Sequence, residues 1–438
     1  MLPKVNFCAR WPRLPGGAAV LAMLGASTVA GATLCVSRAA RTGCYTSITA
    51  AVNAAADNDT VRVAQGTYHE NVVIGKPLSL IGESPENSIV DATGLANGIN
   101  VDGHNHAGLN HVTVTGFTVR NANFQGILVT DATSVTIAGN HVTGNDKSLQ
   151  PFAAGGPACP LLPGYFAAGE GFDCGEGIHL SGVSHSTVAS NLVDNNAGGI
   201  LVSDDTGANH DNLITGNVVQ NNPYDCGITI ASHHFSPSAL DTGGGVFHNT
   251  ISGNTSARNG LATGEGAGVG LFAGPPGAKT YANVVVNNKL TGNALPGVAM
   301  HSHTVFQNLN DNLIVGNQIS GNGPDGDPGT TVPTGISVFS DDTGGAPPIT
   351  GTVIAQNVFK GEGIDIAVKT PGSVDIRLND LFDNVGINNL GTGTVNATLN
   401  WWKCAGGPGA NGCGIFVGGG VLAAPWLTSP FESLGPGQ

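Results

Sequence analysis

The residues best able to move a proton fall in two groups, each just after a Gly-led apolar strand. One is Asp204-Asp205 with His233-His234; the other is His301 and His303 with Asp341 and Asp342. Asp and His in proximity can serve as proton donor and acceptor, which acid–base chemistry on a sugar requires. Phe272 and Phe339 hold the same place in their segments as His301. They would offer a flat apolar face to the C–H side of a pyranose ring. His179 and Asp365 occupy an outward position of the same strands and are further candidates for substrate contact. A competing reading is local, because Ser-Asp-Asp-Thr recurs at 203–206 and 340–343 as a turn in which Asp bonds its own backbone. His301-Ser302-His303 and His104-Asn105-His106 also place two imidazoles at i,i+2 spacing, a pair suited to Cu or Zn. Turn carboxylates and carbonyls would suit Ca²⁺ in a structural role. None of these groups requires a cofactor.

What brings such distant residues together is a repeat. Asn140, Asn191, Asn217, Asn254, Asn288, Asn317, Asn357 and Asn379 each follow a Val/Ile-rich triplet and precede a second apolar strand. A further Asn recurs five positions on, at Asn145, Asn196, Asn222, Asn259, Asn293, Asn322 and Asn384. Ahead of each unit, Gly leads two apolar residues spaced two apart: Ile127/Val129, Ile178/Leu180, Ile200/Val202, Ile228/Ile230, Val269/Leu271, Val298/Met300, Ile336/Val338 and Ile364/Ile366. Period two means a strand with one face inward. The intervening Leu128, His179, Leu201, Thr229, Gly270, Ala299, Ser337 and Asp365 are expected at solvent. Such units bury their apolar faces only by stacking, as coils of a solenoid. The expected fold is all-β, a single-stranded right-handed parallel β-helix, with the Asn columns as internal ladders.

Insertions at 146–176, 233–249, 260–267, 273–283, 303–311, 323–334 and 341–351 fall at two positions of the coil cycle and should wall one part of the surface. Residues 33–60 read as an N-terminal cap, with Thr46 or Ser47 starting a short helix whose Ile48 and Val52 share a face. Residues 61–400 are the β-helix, and 401–438 a cap and tail in which Trp401 and Trp402 close the last coil or form a sugar platform. Residues 1–32 read as a secretory signal: Lys4, Arg10 and Arg13, then a small apolar stretch, then Ala30-Gly31-Ala32. Secreted, periplasmic or cell-surface placement follows, with no membrane span once the signal is removed, and a monomer is expected.

Only 11% of residues are charged and the formal charge is −14, more negative still without the three basic residues of the leader. Such a chain repels nucleic acid and anionic lipid, so neither is an expected partner. In an exported chain Cys35 with Cys44, Cys159 with Cys174 and Cys404 with Cys413 are the expected disulfides, leaving Cys226 over. Cys174 and Cys226 would sit two coils and roughly 10 Å apart.

The capping helix, the segment DTVRVAQGTYHENVVIGKPLSLIGE (59–83) and the G-[IV]-x-[VILM]/GN repeats resemble the right-handed parallel β-helix superfamily of pectin-lyase-like proteins. Within it the chain is similar to exported β-helix-repeat proteins related to the NosD family. The resemblance implies this fold over nearly the whole mature chain and a polysaccharide or cell-surface glycan as partner. Gly66-Thr67-Tyr68-His69-Glu70 is similar to the G-x-Y-x-E of pectin methylesterases, whereas their D-F-I-F-G has no counterpart, nor has the D-P-H-D of alginate epimerases or the W-I-D-H of pectate lyases. Three function classes fit: a polysaccharide lyase, hydrolase or epimerase; a non-catalytic glycan-binding scaffold or adhesin-like protein; and, through the NosD likeness, a periplasmic copper-handling accessory protein.

Overall fold

The computed structural model describes residues 31–39, 41–154, 158–161, 163–164, 174–238 and 243–431. The leader reading lies, up to residue 30, outside the described residues. From Thr33–Val36 to Val421–Leu422 the chain winds into three parallel sheets of 14, 12 and 12 strands, with a small three-stranded sheet at one corner. Each coil adds one strand to each large sheet. A typical coil runs Leu213–Thr215, Val218–Gln220 and Ile228–Ser232.

The Gly-led strands pair in the expected register. Ile127, Ile178, Ile200, Ile228, Val269, Val298 and Ile336 are successive neighbours, and their side chains are fully buried in one continuous core. The residues between them are buried as well, against expectation: Leu128, His179, Leu201, Thr229, Gly270, Ala299, Ser337 and Asp365 are all shielded from solvent. The cause is the loops entering these strands, which fold back over the outer face of the sheet. Cys226, Ala267 and Ala299 form a second apolar cluster there, with Phe272 and Leu295 against it.

The Asn columns are internal ladders. Asn217 donates its backbone N–H (2.9 Å) and Nδ2 (3.0 Å) to Asn254 Oδ1, and Asn254 repeats both bonds to Asn288 at 2.9 and 3.0 Å. A buried amide satisfied on every side adds to stability; left unsatisfied it destabilises. A third ladder, Asn212, Asn249, Asn283 and Asn312, runs five residues ahead of the first. The second ladder ends differently from expectation. Glu362, not Asn384, accepts from Asn322 (Oε1 to Nδ2 3.0 Å), while Asn384 lies at the surface with Lys403 Nζ at 2.8 Å.

Burial, with Asp383 nearby, lifts the Glu362 carboxyl from its ordinary 4.5 to about 7 against the hydrogen bonds from Asn322. A folded-state value above the unfolded one stabilises below the unfolded value and is lost as pH rises from 4.5 to 7. Glu362→Gln keeps the acceptor for Asn322 without the charge. It should therefore be the more stable form at pH 8, by roughly 3 kcal/mol at about 1.36 kcal/mol per unit, with a flatter stability profile across that window. Denaturant midpoints at pH 4.5 and pH 8 read the difference, and identical pH dependence in both forms would refute it.

The first coil is closed by helix Ile48–Ala54, with Ser47 as N-cap. The Glu70 carboxylate receives the N–H groups of Ile48 (3.0 Å) and Thr49 (2.8 Å), and Lys76 Nζ reaches the Ala55 carbonyl at 2.8 Å. Opposite charges thus meet the two ends of the helix dipole. The Gly66–Glu70 segment therefore works as cap: Tyr68 is buried and its hydroxyl donates to the Ala64 carbonyl at 2.9 Å. At the other end Trp402 is fully buried in the core, edge-on to Phe416. All three expected disulfides form, and Cys226 is buried, its sulfur accepting from Ala267 N at 3.1 Å. Among the described residues no helix is long and apolar enough to cross a membrane.

Candidate functional site

Register places Phe272, His301 and Phe339 in one column on three successive coils. Their rings touch: His301 lies 5.1 Å from Phe272 and edge-on to Phe339 at 5.9 Å. The column is not the exposed stripe its sequence suggests. His301 and Phe339 are 6% and 5% exposed, because the insertion at 323–334 folds over them. That loop contributes Asp325 and Asp327. His301 is held between their carboxylates, Nε2 to Asp325 Oδ2 at 2.7 Å and Nδ1 to Asp327 Oδ2 at 3.2 Å. His303 Nε2 meets the same Asp327 oxygen at 2.7 Å. Ser337 Oγ donates to Asp325, and Lys369 Nζ sits 5.2 Å from the centre of the Phe339 ring.

A line of carboxylate, imidazole, carboxylate, imidazole thus runs from the buried Asp325 to the half-exposed His303. Burial alone would push His301 toward neutrality. The hydrogen bond and charge of Asp325, then Asp327 and Glu265, outweigh it and raise its pKa. The hydrogen bond from His303, opposed by partial burial and helped by the charge of His301, holds Asp327 below the usual carboxylate range. A groove of about 740 Å³ opens over this line, between the 323–334 loop and residues such as Glu265 and Leu295. His301, His303 and Asp327 also bring three donor atoms within 4.8 Å of one another, as a metal ligand set would need. Both nitrogens of His301, however, already face carboxylates.

Asp341 and Asp342 do not join this line. Asp341 Oδ1 accepts from Thr343 N (3.1 Å) and Oγ1 (2.6 Å), which is the local turn chemistry its sequence allows. Asp342 is exposed. Asp325 and Asp327 replace them, and only their place in a Gly/Pro-rich insertion (GPDGDPG, 323–329) hinted at it.

The other group assembles as a buried network. Asp205 Oδ1 meets His233 Nδ1 at 3.0 Å, and His179 joins from the preceding coil with Nε2 3.7 Å from Asp205 Oδ2. Desolvation would raise the Asp205 carboxyl, but the hydrogen bond and charge of His233, with His179 and Ser203, bring it down to about 2. Asp204 accepts from His233 N at 2.7 Å, His234 N at 3.2 Å and Ser232 Oγ at 2.7 Å, so it organises backbone. Asp204, His179 and His233 are buried and the Asp205 side chain is shielded, while His234 is only partly buried. Asp365 lies at the same depth, its carboxyl pushed well up by burial and by Asp383 beside it. It is no surface contact. His104 and His106 diverge, to Asp131 Oδ2 (2.8 Å) and the Asp102 carbonyl (2.8 Å).

Three sheets, ladders and a loop-walled groove define a single-chain parallel β-helix with a lateral cleft. The model of the family described as "Right handed beta helix region" matches residues 86–305, half of the chain, and the chain belongs to that family. No curated protein matches it significantly in sequence. Among solved structures, the Dettilon tailspike protein is similar over 84% of this chain and 62% of its own, with 14% identity and a TM-score of 0.54. Alginate lyase AlyF-OU02, solved with G6, is similar over 91% of this chain and 88% of its own, with 13% identity and a TM-score of 0.52. The A-module of mannuronan C-5 epimerase AlgE6 from Azotobacter vinelandii is similar over 87% and 94%, with 14% identity and a TM-score of 0.46. At these identities the likeness is one of fold. The chain spans 53% of the Geobacillus virus E2 ORF18 chain and 62% of the tailspike, under two thirds of either.

Proposed function

We propose that the protein is exported and binds polysaccharide in the groove beneath the 323–334 loop, where Asp327 and His303 carry proton transfer on the sugar. The observation that carries this is the Asp325–His301–Asp327–His303 line, which ends at a half-exposed imidazole 5.5 Å from the Phe339 ring. Asp327 orients His303 through the 2.7 Å contact to Nε2, and an oriented imidazole is the usual proton-transfer group. The buried His301 touches no substrate; it is a positioning residue acting through Asp327. Asp225, Glu265, Asp325 and Asp327 line the groove, with no Lys or Arg lining it among the described residues. A neutral, hydroxyl-rich glycan suits that lining better than a polyuronate, since hydroxyls donate to carboxylates and uronates are repelled. A fold neighbour named an alginate lyase, with G6 bound, supports a polysaccharide role, and three disulfides support export.

The test is a panel of neutral and uronate polysaccharides, read for ultraviolet-absorbing unsaturated product, for reducing ends and for retardation in an affinity gel. Expected are retardation by a neutral polysaccharide and product from it. Retardation without product would leave a binding module and remove the proton-transfer role. Neither signal from any polysaccharide overturns the reading.

A further inference from the structure

The corner where the Gly-led strands turn into the 14-stranded sheet carries a second set of imidazoles, which the polysaccharide reading does not use. On three successive coils the residue in left-handed backbone just before that sheet is His185, Asp211 and His248, with φ of 53°, 57° and 56°. Beside Asp211 stands His210, in the small sheet formed by Asn209–His210, Val246–Phe247 and Thr280–Tyr281. The stack therefore builds a His–Asp–His column with a third imidazole next to its centre.

All three imidazoles address the one carboxylate. His210 Nδ1 lies 2.8 Å from Asp211 Oδ2, His185 Nε2 3.9 Å from the same oxygen, and His248 Nδ1 3.9 Å from Oδ1. Donor atoms of His185, His210 and Asp211 all fall within 4.8 Å of one another. Left-handed backbone favours Asn, Asp and His, which explains a single such residue but not three rings converging on one acid. The His210 ring is fixed by stacking on Phe247 (5.0 Å, 8° between planes), and Phe247 on Tyr281 (5.1 Å, 18°). His248 abuts Phe247 edge-on at 5.2 Å. Half-exposed side chains at 185 and 248 can rotate while the backbone holds their spacing.

We propose that His185, His210, His248 and Asp211 form a surface site for a divalent transition-metal ion of the Zn²⁺ type. Tetrahedral Zn²⁺ with bonds of about 2.0–2.2 Å sets donors roughly 3.3 Å apart. His185, His210 and Asp211 already hold donors within 4.8 Å of one another, and rotation of the half-exposed His248 ring, 3.9 Å from the other carboxylate oxygen, would bring in the fourth. Imidazole-rich donor sets with one carboxylate select such ions over Ca²⁺ and Mg²⁺, which prefer all-oxygen shells. Bound there, the ion would tie three coils together at an open corner.

The test is calorimetric titration of the full chain, first stripped with chelator, with ZnCl₂ and in parallel with CaCl₂ and MgCl₂. Expected is one Zn²⁺ per chain, no Ca²⁺ or Mg²⁺ at that site, and a tenfold or greater weakening in each of His185→Ala, His210→Ala and His248→Ala. His185→Ala and His248→Ala alter exposed rings and should fold as the wild type by circular dichroism. The double variant His303→Ala/Asp327→Asn should keep Zn²⁺ binding. Absence of stoichiometric binding would overturn the proposal, as would binding unchanged in all three corner variants. Binding lost in the groove variant would do the same, by placing the ion at His303 instead.

Discussion

Asn254→Ala unfolds at a markedly lower denaturant concentration than the wild type. The side chain accepts from Asn217 N and Nδ2 and donates to the Ile214 carbonyl at 2.9 Å, all within the core. Truncation leaves two buried donors and a buried carbonyl without those bonds. Three such groups at about 1–3 kcal/mol each put the loss at roughly 3–9 kcal/mol. Water cannot repair it, because Asn254 is 1% exposed and flanked by Asn217 and Asn288 in the same ladder. Gln318→Ala, at an exposed polar residue two coils further on in the same sheet, should shift stability by less than about 0.5 kcal/mol. Chemical denaturation of the two variants side by side measures the contrast. Equal midpoints would mean the ladders contribute nothing and that stacking rests on the apolar core alone.

His303→Ala lowers turnover of the processed polysaccharide by about 10²–10⁴-fold, the usual worth of a placed proton-transfer group. Binding changes less, since the apolar face of the groove is untouched. His301→Ala acts differently. His301 is buried and bonded to two carboxylates, so its removal leaves Asp325 and Asp327 without the imidazole between them. The pH profile of the remaining activity should move, which a purely structural role would not produce. Asp341→Ala, which alters only its own turn, should leave both turnover and binding near wild type. If His303→Ala retains full turnover, the proton is moved by another group.

How much of this was legible depends on whether a residue sits inside the coil period. The Gly-led pairs and the first Asn column recur with strands on either side, so register follows from stacking, while the cysteine pairs are legible from their spacing near the two ends and across one insertion. The third ladder was readable by the same rule, since Asn212, Asn249, Asn283 and Asn312 each stand five residues before a first-column Asn. The period could not say that loops would cover the outer face. Alternation in Leu128, Thr229 and Ala299 reads as exposure until the chain entering those strands folds back on them. For the same reason the sequence pattern points to Asp341 and Asp342, downstream, as partners of His301. The actual partners, Asp325 and Asp327, lie on an insertion whose path no repeat specifies. At the end of the second ladder Glu362 substitutes for an amide because a carboxylate, largely protonated below about pH 7, accepts the same bonds from Asn322.

The most direct test of the groove is histidine-labelled NMR of the full chain titrated with the polysaccharide fragment that retards it, the His303 ring signal being assigned by its loss in His303→Ala. That signal should move with added glycan and saturate, while those of His185 and His248 stay put. A fragment that binds yet leaves the His303 signal unmoved would place the sugar elsewhere on the solenoid and contradict the account.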